Sequence, residues 1–532
     1  MYSNKYFLNS FLHRFFVFIL LPFGVMAQVA IKTNDKSILY ADQSASRQGS
    51  ISIQNGGATW SGATSMRWNI NVTAAGNYKF FIQNAVSRAA EGMAMRISSQ
   101  SGSTLNFALR QTFGIPQGWE RDTIAGTLAL PAGSQWIELG TAGTPTGTVM
   151  GLRGLEIYPA AAEAAMAATT ARAKAARPNT DWMLRAKYGL MFHWNPLSVD
   201  QNNNLVPYAT MVRNFNVSAF ANMVKETGAG YVLFTFTHGG NTAPAPLTTW
   251  NGPTTQRDLI MEIADSLNTK GIKLMLYGGQ WALNIMTELG TRYGEKVSGY
   301  WFDGGWTTTH NNPNYDSEAF YRACKAGNPN RVIALNYWVY PNDTEWQDYW
   351  AGEVAGLATI PSSRYATEGP IHGLQSHMLI LMEDNWWMDS NNERTMLSRN
   401  QLSPYVTRAM GKGVAVTINV MIYPDGTILP SSMAVLKGLS EDVRNVQPVV
   451  SVAPGLQQET FQGTIMPGFR ALVINGTGNQ AQAVIYTIAG RKVHAFSLHP
   501  GKNVVRYGDL PLAPGSHIIK VKEASHRFLV PW

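Results

Sequence analysis

The run Trp301-Phe302-Asp303-Gly304 closes the apolar segment Val297-Ser298-Gly299-Tyr300 with an acid, two glycines and Trp306. A carboxylate at the carboxyl end of a strand sits where parallel βα barrels carry their chemistry. Aromatics beside it offer a sugar ring a flat, apolar wall. An ionised Asp in that place can attack an anomeric carbon and form a covalent intermediate. Alone, the four letters also fit an ordinary strand capped by an Asp turn. Their neighbours carry the chemical reading.

Polar and aromatic residues collect at the ends of successive strand-like runs. The first ends in His193-Trp194-Asn195, the second in Thr237-His238, and the third leads through Tyr277 to Trp281. The fourth ends in Asp303 and Trp306, the fifth in Asn336, Tyr337 and Trp338. Five such ends converging on one pocket predict a sugar site, with His193, Trp194, His238, Tyr277, Trp281 and Trp306 as its binding residues. A retaining reaction also needs a second carboxyl, protonated near neutral pH and about 5–5.5 Å from the first. Burial among aromatics raises a carboxyl that far. Glu383, followed by Asp384-Asn385-Trp386-Trp387, has such a setting, and Glu368, Asp384 and Glu353 are the alternatives. No His or Cys spacing reads as a metal site. Cys324 is the single cysteine, which excludes an internal disulfide and suits helix packing better than nucleophilic work.

Three composition zones must position these groups. Residues 28–160 read as short alternating strands such as Ser65–Val72 and Tyr78–Ile82, broken by Gly, Asn and Ser turns, which predicts a β-sandwich. An Ala-rich helical linker covers 161–180. From 181 to 446 strand-like and helix-like runs alternate, which predicts a parallel (β/α)₈-like TIM barrel. Its strands are expected at Lys187–Trp194, Tyr231–His238, Ile272–Gly278, Val297–Gly304, Arg331–Trp338, His377–Glu383 and Val414–Val420, with an eighth hidden between Trp346 and Leu357. Residues 450–532 read as a small all-β domain. The expected fold is thus multidomain, a barrel flanked by two β-domains.

At 532 residues, 45% hydrophobic and 14% charged, the chain has the composition of a globular protein with large cores. The formal charge of +8 is spread out, without the blocks of like charge that nucleic-acid partners need. Lys5, His13 and Arg14 precede the apolar run Phe15–Leu21, and Val25-Met26-Ala27 offers a cleavage point. Residues 1–27 therefore read as a secretory signal too short to span a membrane, with export to a bacterial surface or exterior.

Several phrases, in order over about 180–440, resemble the α-L-fucosidases of glycoside hydrolase family 29. They are "WMLRAKYGLMFHWNPLSV", "YVLFTFTH", "QRDLIMEIADSLNTKGIKLMLY", "YWFDG" and "VTRAMGKGVAVTINVMIYPDGTI". The resemblance implies that Asp303 is the nucleophile and that His193 and His238 hold sugar hydroxyls. It departs where Gly239 and Gly240 replace the usual second His, and where the acid/base Glu would fall on His377. It therefore leaves the acid open among Glu383, Glu368 and the alternatives above.

"WNINVTAAGNYKFFIQNA", "LPAGSQWIEL" and "GLRGLEIYP" resemble carbohydrate-binding sandwich modules of families 6 and 35, some of which carry a structural Ca²⁺; no ligand set can be named here. "VIYTIAGRKV", "YGDLPLAPGSHIIKV" and "RFLVPW" resemble the C-terminal sorting domains of type IX secretion, with His517 in place of the usual Tyr. Together these resemblances imply a secreted, retaining, α-L-fucosidase-like glycoside hydrolase without a cofactor, acting on fucosylated or related glycans and exported by type IX machinery. Two alternatives stand beside it: a non-catalytic carbohydrate-binding protein on the same barrel, and a glycosidase for another sugar.

Overall fold

The structure is a computed structural model. It describes residues 28–449 apart from 55, 113–118, 146, 239–241, 313, 367–370 and 391–396, and, beyond 450, seven strands. The expected signal segment and Glu368 lie outside the described residues. No helix among those described is long and apolar enough to cross a membrane.

Eight parallel strands form the central sheet. They are β1 (Gly189–Phe192), β2 (Tyr231–Thr235), β3 (Lys273–Gly279), β4 (Val297–Asp303), β5 (Val332–Leu335), β6 (Glu353–Ala355), β7 (His377–Leu381) and β8 (Ala415–Asn419). Their order is β5-β4-β3-β2-β1-β8-β7-β6, with every ladder parallel. The strand expected between Trp346 and Leu357 is β6.

No ladder joins β5 to β6. Side chains close that seam instead. The Ile333 N–H donates to the Asp348 carboxylate (2.8 Å), and the Leu335 N–H to the Gln347 side-chain oxygen (3.2 Å). The Asp348 N–H returns a bond to the Ile333 carbonyl (2.8 Å). Burial raises the Asp348 carboxyl, against the pull of the Lys325 ammonium 2.7 Å away.

Side chains of a strand alternate between two faces, and this sorts the barrel into two layers. Met191, Leu233, Met275, Tyr277, Trp301, Ala334, Ala351, Leu379 and Ala415 fill the inside. Leu190, Phe192, Phe234, Leu276, Phe302 and Leu335 face outward, into one core with helix residues such as Phe220, Ile263, Leu289 and Phe320. Four of the helices start on side-chain caps that satisfy otherwise orphaned backbone N–H groups. Asn216 caps Val217–Thr227, Asp258 caps Leu259–Asn268, and Asp316 caps Ser317–Cys324, while Ser398 and Gln401 form a capping box on Arg399–Gly411.

Among the described residues no helix separates β5, β6 and β7. The long segment after β5 is packed on the N-terminal β-domain. That domain is one ten-stranded hydrogen-bonded sheet around a core that includes Trp60, Trp68, Phe80, Ile97 and Leu155. The 16-residue strand Gly57–Val72 carries the hydrogen bonding continuously through the region expected as a sandwich. Its first part pairs with Thr148–Pro159 and its last part with Gly133–Thr141.

A buried polar cluster joins this domain to the barrel. Asp343 accepts from Tyr40 (3.2 Å) and Gln83 (2.9 Å), and lies 3.6 Å from the fully buried Arg153. Gln83 also donates to Glu156, which takes two bonds from Arg121. Burial would raise the Glu156 carboxyl, but its charged neighbours, Arg121 first, hold it at about 2. The linker helix Glu163–Ala176 is tied down as well, through Arg172 to Glu318 (3.0 Å), and Arg177 just beyond it donates to the Glu345 carbonyl.

The strands beyond 450 form a separate compact unit. Its antiparallel sheets are Gly463–Pro467, Ala471–Gly476 and Gly501–Arg506, and Lys492–Leu498, Ala481–Thr487, Gly515–Val521 and Ala524–Val530.

Candidate active site

The inward parity of β4 carries Trp301 into the barrel and places Asp303 two residues on, above it. Gly304 follows in the left-handed conformation (φ 73°) that glycine takes without steric cost. Its N–H folds back onto Asp303 Oδ1 at 2.8 Å. Tyr277, on the inward face of neighbouring β3, donates its hydroxyl to Oδ2 at 2.8 Å. Asn336, one step past β5, donates its amide to Oδ1 at 3.1 Å. Three donors thus fix the carboxylate.

The same Asn336 nitrogen donates to Glu353 Oε2 at 2.5 Å. Its amide cannot turn over freely, because its oxygen accepts the Trp338 N–H at 3.0 Å. One amide therefore spans two carboxyl groups, whose bridged oxygens are no farther apart than the sum of its two bonds. Burial, then the charge of Asp303, push Glu353 up to about 7, against the Asn336 bond that pulls it down. A carboxylate beside a carboxyl that holds its proton near neutrality can serve as nucleophile and acid.

His193 lies beside this pair. It is buried, and both ring nitrogens lack a partner. Its ring sits 4.4 Å from His238, 4.7 Å from Tyr277 and 5.6 Å from Trp387, with Trp386 at 6.2 Å. Burial, then His238, hold its pKa well below the ordinary value. His238 bonds the Tyr277 hydroxyl through Nδ1 at 3.0 Å, and burial lowers it too, while Asp303 raises it. Two neutral imidazoles, one with its polar atoms unmatched, form a cradle for hydroxyl groups.

The structure therefore brings together Asp303, Tyr277, His193 and His238. Trp194 is a correction to the expected binding set. Adjacent to His193, it has the opposite parity and packs in the outer core against Phe215 and Phe234, its indole N–H on the Pro424 carbonyl at 3.1 Å. Trp281 likewise turns to Phe236, Trp250 and Phe302, away from the inner layer. Trp306 lies on the short helix Gly305–Asn311, and its side chain is outside the described residues.

Glu383 is corrected as the acid. Its carboxylate is consumed by the Ser432 hydroxyl (2.5 Å) and the Met421 N–H (3.0 Å), and no bond ties it to Asp303 or Asn336. Sequence reasoning left Glu353 as a lesser alternative and gave Asn336 no role. The signal was there: Asn336 follows Ala334 at the inward spacing of two, and Glu353 follows Ala351 in the same way. Among the described residues no group of three or more His, Cys, Asp or Glu side chains is placed to hold a metal ion.

No family model matches the chain, and no curated protein sequence does. Solved structures with some likeness include an α-L-fucosidase from Lactobacillus casei in complex with α-L-fucose. It is 17% identical with a TM-score of 0.38, over 49% of this chain and 96% of that one. An endo-fucoidan hydrolase of glycoside hydrolase family 107 is 17% identical with a TM-score of 0.40, over 52% and 96%. A bacterial fucosidase with an iminocyclitol inhibitor is 15% identical with a TM-score of 0.40, over 65% and 97%. Scores this low leave the functional question to the pocket itself.

Proposed function

We propose that this chain is a retaining glycoside hydrolase, with Asp303 as nucleophile and Glu353 as acid/base. The observation that carries this reading is the single Asn336 amide bonded to both carboxyl groups. Retaining enzymes hold their two carboxyls about 5–5.5 Å apart, whereas inverting ones need about 6.5–9.5 Å to admit a water. A shared amide supports the shorter separation.

In the first step an Asp303 oxygen attacks the anomeric carbon and the bond to the leaving oxygen breaks. Glu353 gives its proton to that oxygen. In the second step Glu353 takes a proton from water, whose oxygen attacks the same carbon, and Asp303 is released. Asn336 and Tyr277 orient the nucleophile, and His193 and His238 hold hydroxyls of the sugar. The ordered fucosidase-like motifs of the sequence support α-linked fucose or a related sugar as the substrate. The signal-like residues 1–27 and sorting-like residues 450–532 support export of an enzyme whose barrel spans 181–446.

The test is an aryl glycoside panel followed by azide rescue. An active wild type, an inactive Asp303→Gly and recovery with azide as a glycosyl azide of inverted configuration are expected. A full chain that binds glycans but cleaves none of the panel would move the reading to a carbohydrate-binding protein.

A further inference from the structure

Glu353 also borders a second space. A cavity of about 680 Å³ is lined by Glu353 but not by Asp303 or His193. Its other walls come from both domains: Trp338 and Tyr340 from the segment after β5, and Trp119, Arg110 and Arg121 from the N-terminal β-domain. On the proposed roles of Asp303 and Glu353, on which this inference rests, the attacked ring lies between the two carboxyls. The leaving oxygen departs opposite the attack of Asp303, on the side of the anomeric carbon where Glu353 stands, and this cavity adjoins Glu353 without adjoining Asp303.

The aromatic wall is built, not incidental. Trp119 packs on Tyr340 with ring centroids 5.1 Å apart. A Cβ at Gly57 would sit 3.2 Å from the Trp119 ring and 3.3 Å from the Tyr340 hydroxyl, so the bare glycine lets both lie against the β-domain. Arg153 covers the Tyr340 ring at 4.2 Å. Trp338 is 46% exposed and holds a left-handed backbone (φ 51°). A non-glycine residue keeps that conformation at a cost that its surroundings must offset. Here the same backbone N–H fixes Asn336, so catalytic pair and aromatic wall are set by one turn.

The charges of the wall are already matched. Arg121 is bonded to Glu156, and Arg110 to Asp122 with Glu120 at 3.9 Å. Paired guanidiniums leave no uncompensated charge for an anionic group, whereas an indole face suits the apolar face of a sugar ring. We infer that the N-terminal β-domain is part of the active site, supplying through Trp119 a subsite for a neutral sugar as leaving group.

The test compares two substrates on the full chain: α-L-fucosyl-(1→2)-lactose, whose leaving group is a neutral disaccharide, and 4-nitrophenyl α-L-fucoside, whose leaving group is not a sugar. The ratio of their kcat/KM values is expected to fall roughly tenfold in Trp119→Ala, the scale of one aromatic contact, and to be largely restored in Trp119→Phe. A general loss of folding lowers both rates together and leaves the ratio alone. An unmoved ratio in a folded Trp119→Ala overturns the inference.

If the wild type cleaves neither substrate, the proposed reaction fails but the subsite is still tested. Saturation-transfer NMR with lactose should then give ring-proton signals on the wild type that are lost in Trp119→Ala. Equal signals in both, or binding of a sulfated but not a neutral disaccharide, overturn it.

Discussion

Two carboxyl groups flank the barrel mouth, the half-buried Glu353 at the start of β6 and the fully buried Glu383 just past β7, and desolvation raises each to about 7. Both are raised, and by the same leading cause. Their surroundings differ. Glu353 shares Asn336 with Asp303 and borders an open cavity. Glu383 spends both oxygens on Ser432 and Met421 and is fully buried. A raised carboxyl records desolvation; only the group opposite it decides whether the proton can be delivered to anything.

The comparison can be broken by mutation. The largest effect is expected at the partner that distinguishes the two corners. Asp303→Asn removes the charge facing an oxocarbenium-like transition state, so kcat should fall by roughly 10³-fold or more while inhibitor binding is nearly kept. Near wild-type turnover in steady-state assays would remove Asp303 from the mechanism.

Next comes Glu353→Gln. With a sugar leaving group the rate should fall by about 10²–10⁴-fold, the usual worth of general acid–base catalysis. With a nitrophenyl leaving group, which needs no proton, the first step should suffer far less. The pH profile gives a second reading. The acid form of Glu353 is required, so kcat/KM should decline as pH rises through about 7, and that alkaline limb should vanish in Glu353→Gln. Retention of the limb would assign it to another group.

A smaller effect is expected at His193. Its unpartnered nitrogens point to ground-state contact with hydroxyls, so His193→Ala should cost about 10–100-fold in kcat/KM, chiefly through KM. A change in kcat alone would contradict a binding role.

The smallest effect on rate belongs to Glu383→Gln, expected within about threefold of wild type because it touches no reacting group. Its effect should appear in stability. The folded carboxyl is raised to about 7 from its ordinary value, so the folded state binds more protons between those pH values and stability falls as pH rises across that window. Glu383→Gln should flatten this fall in thermal melts taken from pH 5 to 8. A loss of activity in Glu383→Gln as deep as that in Glu353→Gln would erase the distinction.

The two domains offer a related contrast. The unit beyond 450 is compact by itself, whereas the N-terminal β-domain shares the buried Arg153, Asp343, Gln83 and Glu156 cluster with the barrel. An isolated fragment of 28–160 would lose the Asp343 partner of the buried Arg153.

Much of the barrel was legible along the chain. Apolar runs at regular spacing and polar residues at strand ends are local properties of the chain. They placed Asp303, Tyr277, His193 and His238 at the mouth. Strict alternation could also have separated His193 from its neighbour Trp194, since adjacent strand residues face opposite layers. What no local pattern could supply was the reach between strands. Asp303, Asn336 and Glu353 stand on three consecutive segments and meet only because parallel pairing stacks β4 against β5 and the segment after β5 folds back at the seam. Glu383 sits among Trp386 and Trp387 in sequence, yet its hydrogen bonds go to Met421 and Ser432, beyond the next strand. Sequence determined which residues could carry charge at the mouth of the barrel. The tertiary structure decided which two of them face each other, because hydrogen-bond geometry and desolvation act across space and not along the chain.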